Sequence, residues 1–229
     1  LEVEGGIGVF GRTFAFCHAD RPDTPISLKV HRGELVYLKA ASGVGKTTVA
    51  KIIAGIQKCD RFRMNIDGTR LGEISPHAYW RNQLWGKKLT MVFQHADEAL
   101  NLRSTVEATL KILPVPSLQR PEGRREALGA LFPDHALNAL LKSRVVDLSG
   151  GEKQRLNLVR ALALQTPLLI LDEPLNALDF ESIVRVLSAV ESLREKGRAI
   201  LIVSHNEDIF DALVPPGSIY LLEPSSPPS

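Results

Sequence analysis

The hydrophobic pattern of the chain consists of short strand-like runs and one long region of helical character. Three apolar runs, at residues 89–93 (interrupted by Thr90), 168–171 and 199–203, have the length and composition of strands buried on both faces of a parallel sheet. Residues 26–30 alternate between apolar and polar positions, and a turn connects them to a second apolar run at 35–38. The pattern therefore predicts an α/β core with an antiparallel N-terminal segment.

Three further elements are predicted from local sequence signals. Residues 61–71 form a hairpin whose turn is Asp67-Gly68, a dipeptide typical of tight β-turns. Apolar residues at helical spacing predict a helix over residues 180–195, with Asp179 capping its start. The last predicted strand, at residues 218–222, closes the sheet.

Residues 104–142 differ from the rest of the chain because they contain helix formers, several prolines and no β-rich run. Their apolar residues can form the buried faces of a small helical subdomain. These residues are Val106, Leu110, Leu128, Leu131, Leu137, Leu140 and Leu141.

Composition narrows the class of protein without indicating its chemistry. The 229 residues are 44% hydrophobic and 24% charged, as in ordinary globular proteins, and a net charge of +2 gives no reason to expect nucleic acid. Cys17 and Cys59 are expected to be free thiols in a reducing compartment. Because no apolar run approaches the roughly 18 residues of a membrane span, and no signal peptide is visible, we expect neither membrane insertion nor export.

A glycine-containing loop follows the predicted strand at 35–38 and precedes a predicted helix, which is the context of a phosphate-binding loop. Gly43 and Gly45 allow consecutive backbone N–H groups to face phosphate oxygens. Lys46 can reach the β- and γ-phosphates, and the Thr47 hydroxyl can bind Mg²⁺. The loop departs from the usual pattern because alanine, Ala40, stands at its first glycine position, and a lysine, Lys39, precedes it.

Four other signals follow the loop along the chain. Gln94 ends one predicted strand, Asp172 and Glu173 end the next, and His205 follows the strand at 199–203. Between them, the sequence Leu-Ser-Gly-Gly-Glu-Lys-Gln-Arg at residues 148–155 places a glycine pair at the start of a predicted helix. There, backbone N–H groups can bind an anion.

In this order and spacing, these motifs resemble the ATP-binding cassette (ABC) ATPases over nearly the whole chain. The resemblance implies an α/β fold: a P-loop NTPase core with a mixed, largely parallel sheet flanked by helices, an N-terminal antiparallel β subdomain and an inserted α-helical subdomain. It implies a single ABC domain over 1–229, with the core in 1–93 and 156–223, the helical subdomain in 94–155 and a tail at 224–229.

The resemblance also implies a role for each motif residue. Lys46, Gln94, Glu173 and His205 are the expected catalytic residues, with Glu173 as general base. Mg²⁺ is expected on Thr47, Gln94 and Asp172. The residues expected to contact ATP are Ser42, Gly43, Val44, Gly45, Lys46, Thr47, Thr48, Gln94, Ser149, Gly150, Gly151, Glu152, Asp179 and His205.

Members of the family stack adenine on an aromatic residue upstream of the phosphate loop, and Phe14 and Phe16 are the candidates here. In the family, the residues matching Ser149 to Gly151 contact ATP held by the other subunit, so the resemblance implies a head-to-tail dimer of two ABC subunits. Asp179 belongs to the loop that crosses to this partner.

The leading hypothesis is a transport ATPase that works with transmembrane permease subunits from the cytoplasmic face of the membrane. Residues 93–106 resemble peptide and nickel importer ATPases, except that His95 and Leu102 replace the usual Asp and Pro. One alternative is a soluble ATPase of assembly, translation or repair. The single cassette argues against a translation ATPase, and the absence of coiled-coil heptads argues against a repair ATPase. Another is a regulatory module without turnover, which the complete set of catalytic residues disfavours.

Overall fold

This computed structural model describes residues 1–39 and 45–225. The strands are β1 (Glu2–Val3), β2 (Ile7–Val9), β3 (Arg12–His18), β4 (Arg21–Ile26), β5 (Leu28–Lys29), β6 (Leu35–Lys39), β7 (Arg63–Ile66), β8 (Thr69–Gly72), β9 (Leu89–Val92), β10 (Leu168–Asp172), β11 (Ala199–Val203) and β12 (Ile219–Ser225). The α-helices are α1 (Lys46–Ile53), α2 (His77–Tyr79), α3 (Val106–Lys111), α4 (Pro121–Gly129), α5 (Leu137–Lys142), α6 (Gly150–Ala163), α7 (Phe180–Glu195) and α8 (Glu207–Leu213), and a π-helix covers Trp80–Leu84.

The chain divides into two compact units. The first comprises the described residues within Leu1–Met91, Thr166–Glu173 and Arg194–Ser229. The second comprises Val92–Gln165 and Pro174–Leu193. The domain limits expected from the family resemblance stay a prediction.

The main sheet belongs to the first unit, and its described strands lie in the order β2-β3-β12-β6-β11-β10-β9, with β4 paired to β3. β10, β11, β6 and β12 are parallel to their neighbours within this group. All residues of β10 and β11 are buried, because a parallel sheet is covered on both faces. This explains why the two strands appear in the sequence as uninterrupted apolar runs.

The N-terminal region confirms the antiparallel prediction for β1 to β5 and the hairpin formed by β7 and β8. β6, in contrast, joins the parallel core beside β11. β12 does not close the sheet at an edge, as its position in sequence suggested. It lies between β3 and β6, antiparallel to the first and parallel to the second, because buried Ile219, Tyr220 and Leu222 continue the core there.

The second unit is helical, as predicted for residues 104–142. Helices α3, α4 and α5 contact one another, and α4 packs on α6. Of the seven apolar residues expected to form its core, Leu141 is half-buried and the other six are buried. Among the described residues, none of the helices has both the length and the apolar character needed to cross a membrane.

Candidate nucleotide-binding and hydrolysis site

Three adjacent parallel strands of the first unit end in residues with nucleotide-binding chemistry. β6 leads into the phosphate loop, β11 leads to His205, and β10 ends at Asp172 with Glu173 next. The carboxyl ends of parallel strands meet at one edge of a sheet, which is where α/β folds bind ligands. The sheet order β6-β11-β10 therefore gathers residues that are more than 150 positions apart in sequence.

The start of α1 lies directly after the phosphate loop. Gly45, its N-cap, has φ of 104°, a left-handed conformation that disfavours any residue with a side chain. Lys46 is largely buried, and Thr48 is half-buried in the first turn. Ser42, Gly43 and Val44, like Ala40, lie outside the described residues.

Thr47 and Asp172, two of the residues predicted to bind Mg²⁺, lie side by side at this edge. The Thr47 hydroxyl donates a hydrogen bond of 3.1 Å to Oδ1 of Asp172, which is fully buried. A hydroxyl and a carboxylate are hard oxygen donors of the kind that Mg²⁺ prefers. Within residues 1–39 and 45–225, no three His, Cys, Asp or Glu side chains gather as a metal site.

Glu173 is held in one orientation by two partners. Ser204 Oγ donates to its Oε2 at 2.7 Å, and His205 Nδ1 lies 2.8 Å from its Oε1. The Glu173 backbone has φ of 47°, which is uncommon for a residue other than glycine, and its N–H donates to Val203 O at 2.8 Å. Left-handed backbone at a residue with a side chain is a form of strain that concentrates at functional sites.

Sequence reasoning did not identify Ser204, although it stands directly before His205. Ser204 is fully buried, and its hydroxyl also accepts from Asn206 N at 3.1 Å. It therefore connects the turn after β11 to the carboxylate after β10. The sequence signal that could have identified Ser204 is its position at the end of an apolar run predicted to be a buried strand.

In the second unit, the start of α6 carries the other group of predicted ATP contacts. Ser149 caps the helix, and Ser149 and Glu152 form a reciprocal capping box. The Ser149 N–H donates to Glu152 Oε2 at 2.9 Å, which lowers the pKa of the Glu152 carboxyl below its usual value. Ser149 and Gly150 are exposed, and a side chain on Gly150 would meet nothing within 4 Å.

Gly151 fits its position for a different reason. A Cβ there would lie 2.7 Å from the Ala177 carbonyl oxygen, so the loop before α7 can approach α6 this closely because residue 151 is glycine. Asp179 caps α7, as predicted, through the Ser182 N–H at 2.8 Å, and this bond lowers the pKa of the Asp179 carboxyl. Arg155 of α6 lies 3.5 Å from the same carboxylate.

Gln94 is half-buried in a segment that contacts α6. Asn157 Nδ2 donates to the Phe93 carbonyl at 3.4 Å, and Lys153 lies 3.3 Å from Asp97. The predicted site residues therefore fall into two groups. The first unit brings together Lys46, Thr47, Thr48, Asp172, Glu173 and His205, and the second unit contains Gln94, Ser149, Gly150, Gly151, Glu152 and Asp179.

Neither aromatic residue expected to stack on adenine has an available face. Phe14 is 5% exposed and Phe16 is fully buried, because both side chains fill the core beneath β3. Phe10, in contrast, is 78% exposed at the turn between β2 and β3, where Phe10 and Gly11 both have positive φ. Phe14 of the same hairpin would lie 3.7 Å from a Cβ at Gly45, so this hairpin lies beside the N-cap of α1.

Comparison with known proteins agrees with this geometry. The family model described as ABC transporter matches residues 24–176. A probable ABC transporter ATP-binding protein of Azorhizobium caulinodans is 31% identical over 204 residues, covering 89% of this chain and 70% of that protein. A ribose import ATP-binding protein of Pseudomonas putida is 32% identical over 217 residues, covering 93% of this chain and 40% of that protein. A methionine import ATP-binding protein of Mesorhizobium japonicum is 32% identical over 192 residues, covering 82% and 50%.

Solved structures have the same fold. A structure described as the ATP binding subunit of an ABC transporter has a TM-score of 0.66 at 25% identity, over 92% of this chain and 81% of that one. A dimeric ATP-binding cassette in a post-hydrolysis state with ADP and Pi has a TM-score of 0.71 at 21% identity, over 91% and 89%.

The chain belongs to the ABC transporter family. It is an ATP-binding ABC-type ATPase, which confirms the predicted family, fold class and activity. The relatives are ATP-binding proteins of transport systems, which supports the transport hypothesis over the soluble alternative. The chain spans half or less of the ribose and methionine import proteins.

Proposed function

We propose that this cassette is the Mg²⁺-dependent, ATP-hydrolysing subunit of a membrane transporter and that it works as a dimer with ATP at the interface. The observation that carries the proposal is the group formed by Thr47, in the first turn of α1, with Asp172, Glu173 and His205, at the ends of the adjacent strands β10 and β11. Phosphoryl transfer to water needs positioned cations, a metal and an aligned water more than covalent catalysis, and this group has the side chains for that task.

The nucleotide phosphates are bound at the start of α1. Lys46 neutralises charge on the β- and γ-phosphates, and the backbone N–H groups from Gly45 to Thr48 donate to phosphate oxygens. The N-terminus of a helix favours anions because its first N–H groups have no partner within the helix. By analogy with the family, Ser42, Gly43 and Val44 extend this cradle.

Thr47 and Asp172 would hold Mg²⁺, and the family resemblance assigns Gln94 as a further ligand. When bound, the ion neutralises charge on the phosphate oxygens as the transferred group separates. Asp172 is suited to this role because its carboxylate is fully buried and already directed at the Thr47 hydroxyl.

Glu173 acts as general base toward the attacking water. Its carboxylate oxygen accepts a hydrogen bond from the water, which raises the nucleophilicity of the water oxygen. Ser204 and His205 restrict the carboxylate to one orientation before reaction, so little reorganisation is needed. The His205 side chain is 60% exposed, which leaves its ring accessible to the γ-phosphate.

Ser149, Gly150 and Gly151 act on the ATP of the partner subunit, with Glu152 fixing the helix start and Asp179 in the loop that crosses between subunits. The exposure of Ser149 and Gly150 supports this assignment, because these donors face outward from their own unit. The dimer is two-fold and head-to-tail, and either a second copy or a related ABC subunit completes it.

Transmembrane permease subunits are the proposed partners, at the cytoplasmic face of a membrane. The support is the set of relatives named for ribose import, methionine import and histidine/lysine/arginine/ornithine transport. The resemblance of residues 93–106 to peptide and nickel importers stays a prediction.

Replacement of Glu173 by glutamine tests the hydrolysis mechanism. The amide keeps the size of the side chain but is a far weaker base, so turnover should fall by about 100-fold or more. ATP affinity should stay within about twofold, since the phosphate contacts remain, and ATP should accumulate a dimer visible by size-exclusion chromatography. Glu181→Gln, at an exposed position of α7, is the matched control and should hydrolyse ATP normally. Normal turnover by Glu173→Gln would contradict the general-base role.

Lys46→Ala separates binding from chemistry. Loss of the cation at the phosphates should weaken ATP binding by about 100-fold, with turnover lost in parallel. Equilibrium binding of ATP to the purified variant measures this effect. Retained affinity would mean that the loop beginning with Ala40 holds phosphate in another way.

Purification from native membranes tests the transport assignment. An affinity-tagged full-length protein should be recovered with a protein of several membrane spans, and Glu173→Gln in that complex should stop substrate uptake. Recovery without any such partner, from cells in which the protein is active, would favour a soluble ATPase.

A further inference from the structure

Lys39 links the strand before the phosphate loop to the helix after His205. Its Nζ lies 2.7 Å from Glu207 Oε2 and 2.8 Å from Asp211 Oδ2, and its side chain is 24% exposed. The two acids are four residues apart in α8 and therefore share one face of that helix. One ammonium thus connects the end of β6 to two successive turns of α8.

Tyr37 makes a second connection between the same two elements. Its hydroxyl donates to the Ser204 carbonyl at 3.1 Å, and its ring centroid lies 5.3 Å from that of Phe210. Tyr37 and Phe210 are both fully buried. Residues two apart in a strand point to the same face, so Tyr37 and Lys39 both face this segment. Tyr37 contacts its start at Ser204, and Lys39 contacts its end at Asp211.

This segment needs such contacts because its own helix is short. α8 has seven residues, and among them Phe210 is the buried one. A helix of this length has little stability in isolation and depends on its tertiary contacts. The carboxylates of Asp211 and Glu207 also raise the pKa of Lys39 above its ordinary value, so the ammonium stays charged at any assay pH near neutrality.

We propose that Lys39 is a positioning residue for ATP hydrolysis: by holding α8 to β6, it fixes His205 against the Glu173 carboxylate. This inference rests on the proposed roles of Glu173 and His205. It assigns a use to a lysine that stands unexpectedly beside the phosphate loop. Small displacements of catalytic groups reduce rates strongly, by up to about 100-fold for about 1 Å, so the contact can act at a distance from the reacting atoms.

The test replaces Lys39 by methionine, which keeps a long side chain and removes the charge. We expect kcat to fall by about tenfold while the KM for ATP changes by less than about twofold, because the ground-state phosphate contacts remain. Lys39→Arg should restore most of kcat, since it keeps the positive charge. Lys29→Met is the matched control, because Lys29 pairs with Glu2 at 3.2 Å elsewhere in the first unit, and its kinetics should be those of the parent protein.

A raised KM with normal kcat would overturn the proposal, because it would place the effect of Lys39 on the phosphate loop itself. The double variant Glu207→Gln/Asp211→Asn tests the same contact from α8, away from that loop, and should reproduce the tenfold loss. Normal kcat in this variant would also overturn the proposal. Thermal unfolding of each variant identifies any loss of activity that is caused by unfolding.

The His205→Ala background distinguishes this proposal from the proposed function. If Lys39 acts through His205, then Lys39→Met should cause little further loss of kcat in His205→Ala, because coupled residues are not additive. A further tenfold loss would overturn the positioning role and leave the role of His205 intact. Normal turnover by His205→Ala itself would overturn the proposed role of His205, and the positioning proposal with it.

Discussion

The end of β10 and the start of α6 are the two regions proposed to act on nucleotide, and they differ in how their side chains are held. Asp172 is fully buried and Glu173 is 5% exposed, and both make hydrogen bonds or ionic contacts to residues distant in sequence. Ser149 and Gly150 are exposed, and Ser149 bonds with Glu152, three residues away. One region is defined by long-range contacts and the other by a local motif.

This difference shows what each region is suited to do. A buried carboxylate with fixed partners is suited to catalysis because its orientation is set before substrate binds. An exposed helix start with glycine backbone is suited to recognition, because its N–H donors are open to a ligand from outside the unit. The first unit therefore has the groups proposed for chemistry, and the start of α6 has a surface that is open to another molecule.

Ser149→Arg tests this contrast and has the largest expected effect. A long cation at the start of α6 should block the approach of a partner, so ATP-induced dimerisation should be lost and turnover should fall by about 100-fold. Binding of ATP to a single site should stay within about twofold, because that site lies in the first unit. Size-exclusion chromatography with ATP and an equilibrium binding titration measure the two effects.

The control is Ser188→Arg, the same change at an exposed position of α7. This variant should dimerise and hydrolyse ATP as the parent protein does. Normal dimer yield from Ser149→Arg would remove the distinction between an internal catalytic region and a shared recognition surface.

Phe10→Ala extends the comparison to the base of the nucleotide. We expect the exposed Phe10 ring to stack on adenine, so its loss should weaken ATP binding by about tenfold, within the range of about 1–3 kcal/mol per stacked base. Binding of ATP and of inorganic triphosphate should be compared, because the effect should be confined to ATP. Ile74→Ala, at another exposed apolar position of the first unit, is the control. Equal loss for both ligands would exclude base stacking.

Tyr37→Phe sharpens the description of the first unit and has the smallest expected effect. Burial raises the pKa of Tyr37 to about 12, whereas an unfolded tyrosine titrates near 10. The unfolded chain therefore releases this proton first, and the free energy of unfolding should fall as pH rises from about 10 to about 12, by about 2 kcal/mol.

In Tyr37→Phe this contribution to the alkaline decline should vanish. The variant should also lose about 1 kcal/mol at neutral pH, because the hydrogen bond to Ser204 is missing. Urea unfolding at pH 8 to 11 measures both effects, with Tyr79→Phe as the control at a more exposed site. An unchanged pH dependence would show that Tyr37 is not buried as described.

Much of the fold was predictable because it follows local periodicity. The apolar runs at β10 and β11 indicated buried parallel strands, and Asp67-Gly68 indicated the β7–β8 hairpin, since these signals depend on neighbouring residues. The position of β12 was not predictable in this way. Its place between β3 and β6 depends on pairing with strands some 200 residues earlier, which no local signal specifies.

The candidate site shows the same division. The residue types and their order indicated ABC chemistry, because glycine loops and acids at strand ends can be recognised in the sequence without knowledge of the fold. The sequence could not identify Ser204 as a partner of Glu173, or distinguish buried Phe14 from exposed Phe10. Burial and side-chain contacts are properties of the packed chain.

By itself, the sequence determined the elements, the chemical groups and the family, since periodicity, capping residues and motif spacing act over short distances along the chain. The tertiary structure alone decided which groups meet. Strand order brings Thr47 to Asp172, and it brings Ser204 and His205 to Glu173. Lys39 reaches α8 across a gap of about 170 residues, because β6 and β11 are neighbours in the sheet and the burial of their apolar faces sets that order.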